Sequence, residues 1–167
     1  MIEPYETALR DLSQGLSKLG FTLVRNTEYG ATFSDGTYSI EHFTERYDHP
    51  AWSATICDPT GKKFDVGLVW QILDPVQHAE AMAALKDIRQ RFGLDERGLG
   101  KPGLGEPGTA SEMRSQGIAE YLRVKLDQEL RFFATHRERL FVSPKEYEAE
   151  YTLRANALVA KFVKLAN

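Results

Sequence analysis

The sequence is short of several things that would make its function easy to name. It holds one cysteine, Cys57, in 167 residues, so no disulfide can form within the chain. That fits a reducing compartment. No stretch approaches the ~18–20 consecutive apolar residues of a membrane-spanning helix. The opening MIEPYETALRDL carries acids where a secretory leader carries bases, and no apolar core follows it. We therefore expect a cytoplasmic protein, bacterial in style, with no membrane partner. The formal net charge is only −3, without the basic face that displaces counterions from a phosphate backbone, so no nucleic-acid partner is expected. No G-x-S-x-G, H-E-x-x-H or C-x-x-C occurs. The chain is accordingly expected to be no enzyme, with no catalytic residue, metal ligand or cofactor assigned.

What is present reads as one α+β protein. Tyr5, Leu9, Leu12, Leu16 and Leu19 recur at helical spacing, with Gly20 as the stop. The period then falls to two. FTLVRNT, YGATFSD, TYSIEHFTERYD, AWSATICD and KFDVGLVWQIL each read as a strand, with turn signals at Asp35-Gly36, Asp48-His49-Pro50 and Asp58-Pro59-Thr60-Gly61. Short connections imply an antiparallel meander of about five strands. On the third strand Tyr38, Ile40 and His42 share one face, and Glu41 and Phe43 the other. Asp74 and Pro75 open a helix that places Met82, Leu85, Ile88 and Phe92 on one side and stops at Gly93.

Two long helices follow. The first, from Ser111 to Phe141, carries Ile118, Leu122, Leu126, Leu130 and Phe133 on one stripe. Ser143-Pro144 breaks the chain, and the last helix lines up Tyr147, Tyr151, Leu158, Phe162 and Leu165. We expect an α+β domain over residues 1–92, a flexible Gly/Pro loop over 93–110, and an antiparallel helix pair over 111–167 packing on the same domain.

The loop GLGKPGLGEPG contains G-x-G-x-x-G twice, starting at Gly98 and at Gly103. A dinucleotide fingerprint needs a strand before it and a helix opening inside it, so that helical N–H groups meet the pyrophosphate. Here a helix precedes it, and Pro102 and Pro107 remove donors. The motif reads as a linker. EHFTERYDHP concentrates Glu41, His42, Glu45, Arg46, Asp48 and His49. On a straight strand His42 and Asp48 would stand about 20 Å apart, too far for one metal. A solvated strand edge is the plainer reading. Cys57 reads as a buried inert thiol, His78 and His136 as helix-surface residues, and Trp52, Trp70 and Tyr38 as core.

Charge is unevenly spread. Residues 1–50 carry eight acids (Glu3, Glu6, Asp11, Glu28, Asp35, Glu41, Glu45, Asp48) and four bases (Arg10, Lys18, Arg25, Arg46). An acidic sheet surface would steer a basic partner. The stretch GFTLVRNTEYGATFSDGTYSIEHFTERYDHPAWSATICDPTGKKFDV, with its strand-ending ERYD and its DP-x-G turn, resembles small bacterial immunity proteins of toxin–immunity systems over about residues 5–75. That resemblance implies a non-enzymatic inhibitor that binds one toxin domain with a basic cleft. From charge, Glu28, Asp35, Glu41, Glu45 and Asp48 are the expected partner-binding acids, with Tyr29 and Tyr47 as aromatic anchors. A homodimer through the C-terminal helices is a further expectation. Two alternatives stay open: a ligand pocket between sheet and helix, lined by Trp52, Trp70, Tyr38 and His42, and a secretion-system adaptor or chaperone working through an exposed apolar stripe on the last helix.

Overall fold

A computed structural model describes residues 5–44, 52–94, 107–142 and 145–166. The elements in order are α1 (Tyr5–Lys18), β1 (Thr22–Thr27), β2 (Gly30–Ser34), β3 (Ser39–Phe43), β4 (Ser53–Cys57), β5 (Lys63–Asp65), α2 (Val66–Leu73), α3 (Pro75–Arg91), α4 (Pro107–Thr135), α5 (Arg137–Phe141) and α6 (Lys145–Ala166). The strands form one antiparallel meander in the order β1-β2-β3-β4-β5. This is the α+β arrangement that the change of period predicts.

The register explains why one face is covered. Leu23, Phe33, Ile40, Ile56 and Phe64 pair in turn across all five strands. Four of them, Phe33, Ile40, Ile56 and Phe64, are fully buried. Each such side chain contributes roughly 1.5–3 kcal/mol by leaving water. The neighbouring row pairs Ala31, His42 and Ala54, so two small residues flank an imidazole. Helices α1 and α4 add Leu12, Leu16, Leu122 and Leu126 to the same core. The opposite face is polar: Arg25, Thr32, Glu41, Thr55 and Asp65 make one row, and Ser34, Ser39, Cys57 and Lys63 another.

Turns follow their side chains. Asp35 Oδ1 accepts from the backbone N–H of Thr37 and Tyr38, and Asp58 Oδ1 accepts from those of Thr60 and Lys62. Gly36 and Gly61 take the positive φ that these turns require.

Four expectations need correction. The strand expected over KFDVGLVWQIL ends at Asp65, and Val66–Leu73 is helical. Asp65 caps that helix by accepting from Leu68 N–H, and Val66, Val69 and Trp70 go inward at helical spacing. A short run that is apolar at nearly every position fits either period, and the cap decides it. In α3 the buried side is Ala81, Leu85 and Ile88, while Met82 is exposed. Asp74 caps this helix as expected, accepting from Gln77 N–H, and Leu94 N–H closes its end on Arg89 carbonyl. The loop expected over 93–110 is shorter, because residues 107–110 already belong to α4; residues 95–106, with both glycine patterns, lie outside those described. Finally, the helix expected from Ser111 to Phe141 is interrupted at His136. The break lets Leu140 and Phe141 turn inward, where Phe141 meets Phe21 and Tyr38 at 5.0 and 5.6 Å.

Of the two long C-terminal helices, α4 packs on α1 and α3, and α6 on α2. Two glycines set the approach of α4 to its neighbours. A Cβ on Gly117 would lie 2.5 Å from Phe92 Cβ and 2.6 Å from Phe92 Cγ. A Cβ on Gly15 would meet only the methyl end of Leu130, which can rotate away. Gly117→Ala is therefore expected to destabilise by about 1–2 kcal/mol, the overpacking penalty exceeding the gain in helix propensity. Gly15→Ala is expected to be near neutral for the same reasons. Urea midpoints of the two variants check the contrast.

Candidate functional site

The residues expected to bind a partner fall into separate places. Glu28 is exposed and Tyr29 half-buried in the β1–β2 turn. Tyr29 carbonyl accepts from Thr44 N–H at 2.8 Å, which ties that turn to the end of β3. Beside them Phe43 is 45% exposed, its ring close over Gly30 on the polar face. Asp35 stands at the other end of β2, a strand length of about 17 Å away, with its carboxylate engaged in a turn. Glu41 lies mid-sheet and is held by Lys63 at 2.7 Å, and that bond raises the pKa of Lys63. Glu45, Tyr47 and Asp48 lie outside the described residues. Their flanks, Thr44 and Trp52, lie at the same end of the sheet as Glu28 and Tyr29.

The structure thus gathers Glu28 and Tyr29 with Phe43, which the sequence reading did not select. Strand alternation was enough to find it, because Phe43 stands on the face opposite Ile40 and His42. Asp35 and Glu41 are not part of that cluster, and Glu41 is already neutralised.

A second feature was missed. His42 and Glu129 are buried at 1% and 2% exposure in the sheet–helix core. His42, read as belonging to a solvated strand edge, sits on a central strand. Its Nδ1 accepts from Trp52 Nε1–H at 2.7 Å, so the neutral ring carries its proton on Nε2. Glu129 Oε2 lies 4.0 Å from that Nδ1, and Lys125 bonds Glu129 Oε1. Neither His42 Nε2 nor Glu129 Oε2 has a hydrogen-bond partner among the described residues. Burial first, then the Lys125 cation, push His42 down to about 3. His42 is therefore uncharged at neutral pH.

The residues named for a ligand pocket between sheet and helix, Trp52, Trp70, Tyr38 and His42, all belong to the packed interior. Trp70 stacks on Phe132 at 5.0 Å and donates to Gln77 Oε1. His78 stands edge-on to Trp70, and His136 lies 3.5 Å from Asp74 with its side chain 12% exposed. Both histidines thus pack between helices, where the sequence placed them on a surface. Cys57 is buried as expected.

An open recess lies elsewhere, between α1 and α4. It measures about 610 Å³ and is walled by Ala8, Leu12, Ala119, Leu126 and Leu130, with Asp11, Glu120, Arg123 and Asp127 among its charged members. Among the described residues no group of three or more His, Cys, Asp or Glu is placed to hold a metal, and no helix is long and apolar enough to cross a membrane. No family model, curated protein or solved structure matches the chain.

Proposed function

We propose that this chain is a non-enzymatic protein-binding module, an immunity-type inhibitor whose partner is a bacterial toxin domain with a basic cleft. The observation that carries the proposal is the sheet end where exposed Glu28, half-buried Tyr29 and Phe43, 45% exposed, stand together beside an uncovered polar face. An aromatic pair next to a carboxylate is a composition suited to an interface, because the rings supply area and the charge supplies steering. The packing of Trp52, Trp70, Tyr38 and His42 into the core supports a surface-based role over a pocket-based one.

Co-expression with the polypeptide encoded immediately beside this gene tests the proposal. The toxicity of that polypeptide should be relieved and a stable complex recovered. Phe43→Ala should raise the dissociation rate, and Glu28→Lys should lower the association rate and reduce its salt dependence. No relief and no complex would overturn the proposal. A complex indifferent to Phe43 and Glu28 would remove this surface from it.

A further inference from the structure

Helix α6 enters the core at one end and leaves it at the other. Tyr147 is fully buried and Tyr151 partly so, both against Phe64. From Asn156 to Lys161 every residue is exposed, with Leu158 at 48% and Val159 at 62%. Leu158 and Val159 follow Tyr151 by seven and eight positions, so they stand on the helix face that the tyrosines bury. That apolar face therefore continues past the body of its own chain. From Tyr151 onward the sequence carries Arg154, Lys161 and Lys164 and no acid. Arg154 is bonded to Glu150, while Lys161 stands exposed.

The α1–α4 recess is the complementary shape. Its walls are Ala8, Leu12, Ala119 and Leu126, and its lining holds three carboxylates against one guanidinium. Arg91 and Arg131 hold Glu120 and Asp127 by exposed ion pairs, and Asp11 has no ionic partner among the described residues. We propose that the exposed stretch Asn156–Lys161 of α6 docks in the α1–α4 groove of a second copy of this chain. Leu158 and Val159 fill the apolar floor, and Lys161 meets the acidic side at Asp11, in the helix-in-groove manner. Within one chain Tyr147 and Tyr151 anchor α6 on α2 and β5, so a second copy supplies the helix. Like charges along the basic tail disfavour the alternative in which two α6 helices pair with each other. Residues 156–166 span only about 16 Å of helix, so a single contact is small and the dimer is expected to exchange both helices about a two-fold axis.

Sedimentation equilibrium of the full chain across a wide concentration range tests this. A monomer–dimer equilibrium is expected, weakened about tenfold or more both by Leu158→Glu and by Ala119→Trp. Leu158 and Ala119 are exposed, so both variants should keep the parent melting curve at dilutions where the parent is monomeric. In a Cys57→Ser background, a chain with Ala119→Cys mixed with a chain with Leu158→Cys should give a disulfide-linked heterodimer. A chain that stays monomeric throughout would overturn the proposal. So would a dimer indifferent to Ala119→Trp, or one in which Leu158→Cys chains cross-link with each other and not with Ala119→Cys chains.

Discussion

Lys125→Met is expected to destabilise the protein by about 3 kcal/mol or more, a loss read as a lower urea midpoint at unchanged slope. The reason is positional. Glu129 has a side chain 3% exposed, and Lys125, 15% exposed, is its bonded cation. One carboxylate oxygen is already without a hydrogen-bond partner among the described residues. Removing the ammonium leaves a buried charge with no compensation, which costs more than the intact pair ever contributes. The converse substitution should be milder. In Glu129→Leu the lysine keeps a flexible stem and some exposure, so its ammonium can reach water while the leucine joins Leu122, Leu126 and Phe133. The double variant Lys125→Met/Glu129→Leu should recover most of the loss. If Lys125→Met and Glu129→Leu cost the same and their effects add, the two groups are not coupled.

This pair also shows what a sequence gives up and what it withholds. Glu129 lies seven residues after Leu122 and four before Phe133, on the stripe that enters the core. His42 lies two residues after Ile40 on the buried face of a strand. Each is a polar residue at an apolar position, and two such residues are under pressure to satisfy one another. That signal was legible. Their meeting was not, because it depends on how α4 crosses the sheet. The meander itself was legible because a two-residue period fixes both faces at once. The helix Val66–Leu73 was not, since its apolar residues satisfy both periods and only the Asp65 cap decides. Nor was the break at His136, which has no proline or glycine to announce it and follows from burying Leu140 and Phe141. On the proposed interface, alternation exposes Phe43. The Glu41–Lys63 ion pair needs the register of β3, β4 and β5, which no local pattern supplies.

Acid should unfold this protein early, and His42 should be the main cause. Its pKa is about 3 in the folded chain against 6.5 for a free imidazole. Between those values the unfolded chain binds a proton that the folded chain refuses. Stability is therefore fully present above pH 6.5 and falls as pH drops, by up to about 1.4 kcal/mol per pH unit, levelling off near pH 3. The structural cause is double. A charged imidazole in this core loses hydration, and protonation of Nδ1 removes the acceptor of the Trp52 N–H. Lys125 opposes the charge, and Glu129 Oε2 lies 4.0 Å from His42 Nδ1. His78, which burial also pushes down, acts in the same direction more weakly. Asp58 is lowered first by the Thr60 hydroxyl, so its contribution is lost only at pH values below the ordinary carboxylate range. Among the described residues, His42 and His78 are the histidines that burial pushes down, and both steepen the acid limb between about pH 6.5 and 4. His42→Gln keeps an oxygen acceptor for Trp52 and does not titrate. Its stability should change little at pH 7.5 and should fall much less steeply on acidification, with proton uptake on unfolding at pH 5 reduced by close to one. An equally steep acid limb in His42→Gln would show that His42 is already protonated in the folded chain, or that another group drives the transition.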